Sequence, residues 1–181
     1  MPSEALRGLG RARLEIPAGF TPLPLGPSLP EGSPAADLTR HLDAEAVAAG
    51  ARLCLLALDV TPSWHQVLTL AVTDGVADPE REVRALAAVT EAEFATRPDL
   101  ACGVRVLDLP GGPAVLDGHV ERVSVPGAAV VEQARFTVTL PTPRLTALLT
   151  LATSQTRGPD PARLLAATAR TLRVEPWGRG G

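Results

Sequence analysis

The stretch VVEQARFTVTL, Val130 to Leu140, followed by Pro141-Thr142-Pro143 and by RLTALLTLAT, Arg144 to Thr153, decides how this chain folds. Side chains two apart on a strand point the same way. Val130, Ala134, Phe136, Val138 and Leu140 therefore share one face, with Glu132 the single polar residue in that set. Gln133, Arg135, Thr137 and Thr139 lie opposite. Proline lacks a backbone donor and cannot continue a ladder, so the Pro-Thr-Pro triplet reads as the turn of an antiparallel pair. Asp160-Pro161 then opens a helical stretch ending near Leu172. Two long antiparallel strands and a packed terminal helix predict an α+β fold, a central antiparallel β-sheet flanked by helices.

The chain upstream of this stretch carries the same signals. Leu14 and Ile16 alternate with Arg13 and Glu15, a short strand within 11–20 that Pro17 stops. Pro22, Pro24, Pro27 and Pro30 confine residues 21–31 to a sheet edge or an extended loop. Ser33-Pro34 predicts a helix start, with Leu38, Leu42 and Ala46 recurring every four residues and Gly50 at the C-terminal cap. Leu53 to Val60 is almost continuously apolar, a strand covered on both faces. Gln66 to Thr73 alternates, with Leu68, Leu70 and Val72 inward, and Thr61-Pro62-Ser63 reads as the hairpin turn between them. Asp78-Pro79-Glu80 starts a second helix, whose stripe Val83, Leu86, Ala87, Thr90 and Phe94 runs until Pro98. Strands over 102–109 and 114–125 follow, around the turn Pro110-Gly111-Gly112-Pro113. The predicted order is β-α-β-β-α-β-β-β-β-α, its later strands an antiparallel meander. Nothing marks a second domain: residues 1–10 read as a flexible N-terminus, 11–174 as one α+β domain and 175–181 as a C-terminal tail.

Composition excludes several classes of function. The 181 residues carry 17 basic and 20 acidic side chains, a net charge of −3 that gives no electrostatic footprint for nucleic acid. Every basic residue is arginine, and lysine, asparagine and tyrosine are absent, which reflects codon usage in a G+C-rich genome more simply than selection for guanidinium. Residues 1–13 hold three arginines and no apolar core of a signal peptide, and no apolar run approaches the roughly 20 residues of a spanning helix. A cytoplasmic location is the expectation. Cys54 and Cys102 sit in apolar, strand-like contexts and read as buried free thiols. They form no Cys-x-x-Cys and no cluster with zinc spacing.

Asp117, His119 and Glu121 make the best polar constellation, because on a strand all three project to one face. Two carboxylates flanking an imidazole could hold a metal or poise a general base. The solvated face of a strand accounts for the same pattern and is the stronger reading, so the expectation is no metal, no cofactor and no catalytic residue. No nucleophile elbow, dinucleotide fingerprint or phosphate loop is present. Trp64, in the predicted turn beside His65, is equally a core residue or an interface anchor. Trp177, beyond the terminal helix, reads first as a lid on the core and second as an anchor.

Four features together resemble the PsbP-like superfamily in its bacterial branch, the DcrB/LpqN-like proteins. They are the opening strand closed by Pro17-Ala18-Gly19-Phe20, the middle strand Leu116 to Val125 with Gly118, the ladder Ala134 to Pro141 with Leu145 to Thr153, and the closing helix Pro161 to Leu172. The resemblance spans residues 11–174. It implies a sheet flanked by helices and a non-enzymatic accessory, docking or chaperone-like role, in some members associated with secretion. It supplies no catalytic residues to carry over. The expected function is therefore binding of a protein partner, with Phe20, Trp64, Trp177, Asp117, His119 and Glu121 as contact residues. The alternative is a small-ligand-binding protein or enzyme with a pocket between sheet and helix near His119. A homodimer through an edge strand in 130–140 is a third expectation.

Overall fold

The computed structural model describes residues 11–23, 50–58, 65–123, 131–153 and 160–175. In chain order the elements are β1 (Arg11–Arg13), β2 (Thr21–Leu23), β3 (Ala51–Leu58), β4 (His65–Asp74), α1 (Pro79–Ala95), β5 (Ala101–Leu109), β6 (Gly112–Val123), β7 (Val131–Pro141), β8 (Leu145–Thr153), α2 (Pro161–Thr171) and β9 (Arg173–Glu175). Among the described residues, seven strands form one antiparallel sheet in the order β2-β3-β4-β8-β7-β6-β5. β1 and β9 pair separately, Ala12 opposite Val174. The fold class is the expected one: α+β, an antiparallel sheet with helices on it.

The turn after β7 shows why the sequence folds locally as it does. Thr142 N–H donates to the Leu145 carbonyl at 2.9 Å, and the Thr142 hydroxyl donates to the same oxygen at 2.7 Å. That hydroxyl also accepts from the Leu145 amide, 3.2 Å away. A threonine between two prolines thus supplies the bonds that the prolines cannot. Both helices start on an aspartate. Asp78 Oδ1 accepts from the Arg81 amide at 3.0 Å, and Asp160 Oδ1 from the Ala162 amide at 2.9 Å, with proline in the first turn of each. Pro17 to Phe20 is a turn closed by Phe20 N–H to the Pro17 carbonyl at 3.2 Å, with Gly19 at φ +86°. A glycine suits that left-handed position.

One sheet face carries the main core. Leu116, Val138, Leu149 and Leu70 stand in register across β6, β7, β8 and β4. All four are buried, and Leu165, Ala169 and Leu172 of α2 and its cap close over the same cluster. The opposite face meets α1 over Val115, where Val83 and Ala87 bury against it with Leu86 and Val104 alongside. β6 is therefore covered on both sides, Val115 by one helix and Leu116 by the other. Cys54 and Leu55 are both fully buried, so β3 is covered on both faces there, as its apolar run predicts.

Several expectations are corrected. β7 is interior, paired with β6 on one side and β8 on the other, so 130–140 offers no edge for a dimer. The edges among the described strands are β2 and β5, because β8 takes the place beside β4 that a simple meander gives to β5. Cys102 is exposed rather than buried: it lies on edge strand β5, at a register shift between Ala101 and Gly103. Burial of Cys54 is as expected. The opening strand is shorter than its alternation suggests, with Leu14 and Ile16 beyond its end. Glu175 belongs to β9, not to a tail. The helix expected from Ser33, the turn at 61–63, Trp64, Trp177, residues 1–10 and the end of the tail lie outside the described residues.

β4 leaves the sheet against the β7–β8 turn with no room to spare. A Cβ at Gly75 would stand 2.5 Å from the Arg144 carbonyl carbon and 2.6 Å from the Pro143 oxygen, and Val76 N–H bonds the Thr142 carbonyl at 3.0 Å. Backbone cannot yield as a side-chain tip can. Gly75→Ala is expected to lower the unfolding free energy by about 1–3 kcal/mol, as overpacking does elsewhere. A shifted urea midpoint at unchanged slope would show it, and an unchanged midpoint would refute the contact.

Candidate functional site

β6 runs beneath the C-terminal half of α1, and between them lies a groove of about 670 Å3. Its floor is the odd-numbered face of β6, the face on which Val115 meets α1: Asp117, His119 and Glu121 all reach it. Its wall is Thr90, Glu93 and Phe94, which recur at helical spacing, with Arg97 one turn further on. Asp99 and Leu100, in the connection to β5, and Val120 and Arg122 of β6 complete it. That connection is held down by hydrogen bonds. Thr96 caps α1 by donating its amide and its hydroxyl to the Glu93 carbonyl at 3.0 and 2.6 Å, Leu100 N–H bonds the Arg97 carbonyl at 3.1 Å, and Val120 N–H bonds the Leu100 carbonyl at 2.8 Å.

The charges in the groove are unevenly matched. Arg135 Nε, from β7, donates to Glu121 Oε1 at 2.7 Å, and His119 Nε2 stands 3.9 Å from Glu121 Oε2. The His119 ring lies 6.4 Å from the Phe94 ring, tilted by 59°. Arg122 turns to Glu132 at 3.3 Å. Asp117 differs from both glutamates: among the described residues it has no ion pair and no hydrogen bond. Burial pushes its carboxyl above the ordinary carboxylate range. His119 pulls it down and Glu93 pushes it further up, and the net shift is upward. In register beyond Asp117 stand Thr137 of β7, Thr150 of β8 and Thr69 of β4, and the first two hydroxyls lie 3.4 Å apart.

Three of the six expected contact residues thus converge. The row 117/119/121 is corrected from a solvated strand face to a groove floor, because α1 packs over the same side of β6. Phe20 does not join them: it is half-buried and packs on the main core. Among the described residues no group of His, Cys, Asp and Glu side chains converges so as to hold a metal ion. The wall residues Glu93, Arg97 and Asp99 escaped the sequence reading. Their signal was present, since Thr90, Glu93, Phe94 and Arg97 share i, i+3, i+4, i+7 spacing, but Phe94 and Thr90 read as core.

No family model and no curated protein sequence matches the chain. Solved structures similar to it include the following two. One is the solution structure of cyanobacterial PsbP (CyanoP) from Synechocystis sp. PCC 6803, at 13% identity and a TM-score of 0.47, covering 95% of this chain and 89% of that one. The other is the crystal structure of LpqN, involved in cell envelope biogenesis of Mycobacterium tuberculosis, at 18% identity and a TM-score of 0.46, covering 92% and 86%. The two structures carry the names of the superfamily and the branch that the sequence features resemble, and the likeness is one of fold alone. The cytoplasmic expectation finds no support in these structures: LpqN is a protein involved in cell envelope biogenesis. Among the described residues no helix is long and apolar enough to cross a membrane.

The burial of the Asp117 carboxyl has a consequence for stability. A carboxyl whose folded pKa lies above its unfolded one opposes folding once it is charged. That penalty is complete above the raised folded value, shrinks as pH falls through the window, and is gone below the ordinary carboxylate range. Solvent still reaches the carboxyl and screens the penalty, so Asp117→Asn is expected to raise the melting temperature at pH 7 by only about 1–3 °C, the scale of a sub-kcal/mol gain in a chain this long. The gain should vanish near pH 3, where Asp117 is neutral in both states. A variant that melts lower than the parent at pH 7 would mean that Asp117 has a stabilising partner.

Proposed function

We propose that this chain is a non-enzymatic accessory protein that docks a partner protein in the groove between α1 and β6. One observation carries the reading: three of the six residues expected to make contacts, Asp117, His119 and Glu121, stand together on the floor of one open groove. Seven of its eleven lining residues are ionisable, and Phe94, Leu100 and Val120 add apolar surface to that of the charged side chains' own stems. Small-molecule pockets are mostly apolar with a few placed polar groups. A lining of charged side chains with one aromatic suits a polar protein surface better, with Phe94 as the desolvated anchor. No covalent step is required of any residue in it.

A small-ligand site is the second reading, and its support is the volume. About 670 Å3 falls within the range of ligand cavities. His119 faces this concavity as that reading requires, but among the described residues no second histidine lines it.

Site-specific photocross-linking in the native host separates the two. A benzophenone amino acid at Arg97, on the groove wall, should trap one discrete protein adduct. The same probe at Val89, which is 64% exposed on α1 outside the groove lining, should trap none. Equal adducts from both positions, or none from Arg97 together with a co-purifying small molecule in native mass spectrometry, would sink the docking reading.

A further inference from the structure

The groove offers more negative charge than its own basic residues neutralise. Glu121 is engaged by Arg135 at 2.7 Å, and Arg122 is turned to Glu132 at 3.3 Å. What remains is three carboxylates, Glu93, Asp99 and Asp117, against the guanidinium of Arg97 and the imidazole of His119. Among the described residues none of the three carboxylates is in an ion pair. Asp117 is the most telling. It is partly buried on the groove floor, with the His119 ring the nearest attracting group and, among the described residues, no ion pair or hydrogen bond, and a carboxylate taken out of water costs stability unless something neutralises it. Phe94 presents an aromatic ring in the same groove, a surface that attracts cations as well as apolar groups.

We infer that the groove receives a basic segment of the partner protein, an arginine or lysine side chain inserting beside Phe94 to meet the Asp117 carboxylate. The inference rests on the docking reading above and adds the chemistry of the occupant. A guanidinium suits the site in two ways: its planar fork matches a carboxylate, and its flat face stacks on an aromatic ring. Glu93 on the wall and Asp99 at the groove's end set the surrounding sign of charge, which steers a cation inward and repels an acidic segment. Arg97 stands on the wall and limits how many positive charges the groove admits, so one inserted side chain fits the balance better than a run of them.

The test uses the full chain with a fluorescein-labelled Gly-Gly-Arg-Gly-Gly peptide and its citrulline counterpart, a neutral side chain of nearly the same shape. Binding is followed by anisotropy and by amide shifts in 15N-labelled protein. The arginine peptide should move amides at 93–100 and 117–121, and the citrulline peptide should not. Asp117→Asn should weaken the arginine peptide about tenfold, the scale of one charge-assisted hydrogen bond. Glu80→Gln with Glu82→Gln, two exposed acids in the first turn of α1 away from the groove, should leave its affinity unchanged. Asp117→Asn is expected to fold at least as well as the parent, so its loss of binding would not report unfolding. Equal weakening by both variants, or equal binding of the citrulline peptide, would overturn the cationic occupant. So would a silent groove in the peptide titration while Arg97 still cross-links a protein, an outcome that leaves the docking reading standing. A silent groove with no adduct from Arg97 would bring down both.

Discussion

Everything in this fold follows from the pairing of β4 with β8. The two strands run antiparallel from Gln66 opposite Thr153 to Asp74 opposite Leu145, although some seventy residues separate them in the chain. The pairing is specified by one buried face. Leu145, Ala147, Leu149 and Leu151 are wholly inaccessible, and Leu68 and Leu70 lie in register beside two of them. A slip of one residue would turn that entire set away from α2 and set Thr146, Leu148, Thr150 and Ala152 in its place, so the register is strongly enforced. At the end of the ladder Gly75 lets the chain pass against Pro143 and Arg144 at backbone distance.

That pairing is also what makes the groove. With β8 beside β4, the chain leaving β4 cannot enter the sheet at its neighbour and crosses to the far edge, where β5 begins the run β5-β6-β7-β8. α1 is the crossing element, and it lies over β5 and β6. Its first half seals against Val115 through Val83 and Ala87. Its second half carries Glu93 and Phe94 instead of small aliphatic residues, and the sheet beneath carries Asp117, His119 and Glu121. Polar side chains on both surfaces keep that half from closing, so a single helix makes core at one end and a groove at the other.

The groove is where local consistency breaks. Elsewhere each choice agrees with its neighbours: aspartates cap helices, Thr142 completes the turn between two prolines, and Phe136 packs over Gly118, where any Cβ would meet its ring. Asp117 is the exception, with only the His119 ring beside it to favour its charge. Asp117 stands in a half-covered row beside three threonines and, among the described residues, is in no ion pair, which is the mismatch that the proposed docking would resolve. The PsbP-like resemblance is one of fold, and such folds host many functions, so the reading of function rests on these side chains and not on the likeness.

Much of the architecture was legible because the signals are local. Alternation in 134–140, the proline-bounded turn, and Asp-Pro at both helix starts depend on residues within a few positions of each other. Strand and helix period act at that same range. The row Asp117, His119, Glu121 was legible as a shared face for the same reason. Which face it was could not be read there, because solvated and covered strands carry the same alternation when a helix brings its own polar side chains. Strand order lay equally out of reach: β7 read as a possible edge and Cys102 as core, since an edge is defined by what pairs with it, not by its own sequence. The sequence alone determined most of the described elements, their order along the chain and which residues share a face. Only the tertiary structure decided that β8 inserts beside β4, and with it that α1 spans β6 and turns a row of charged residues into a groove, because long-range pairing depends on burial summed over the whole sheet.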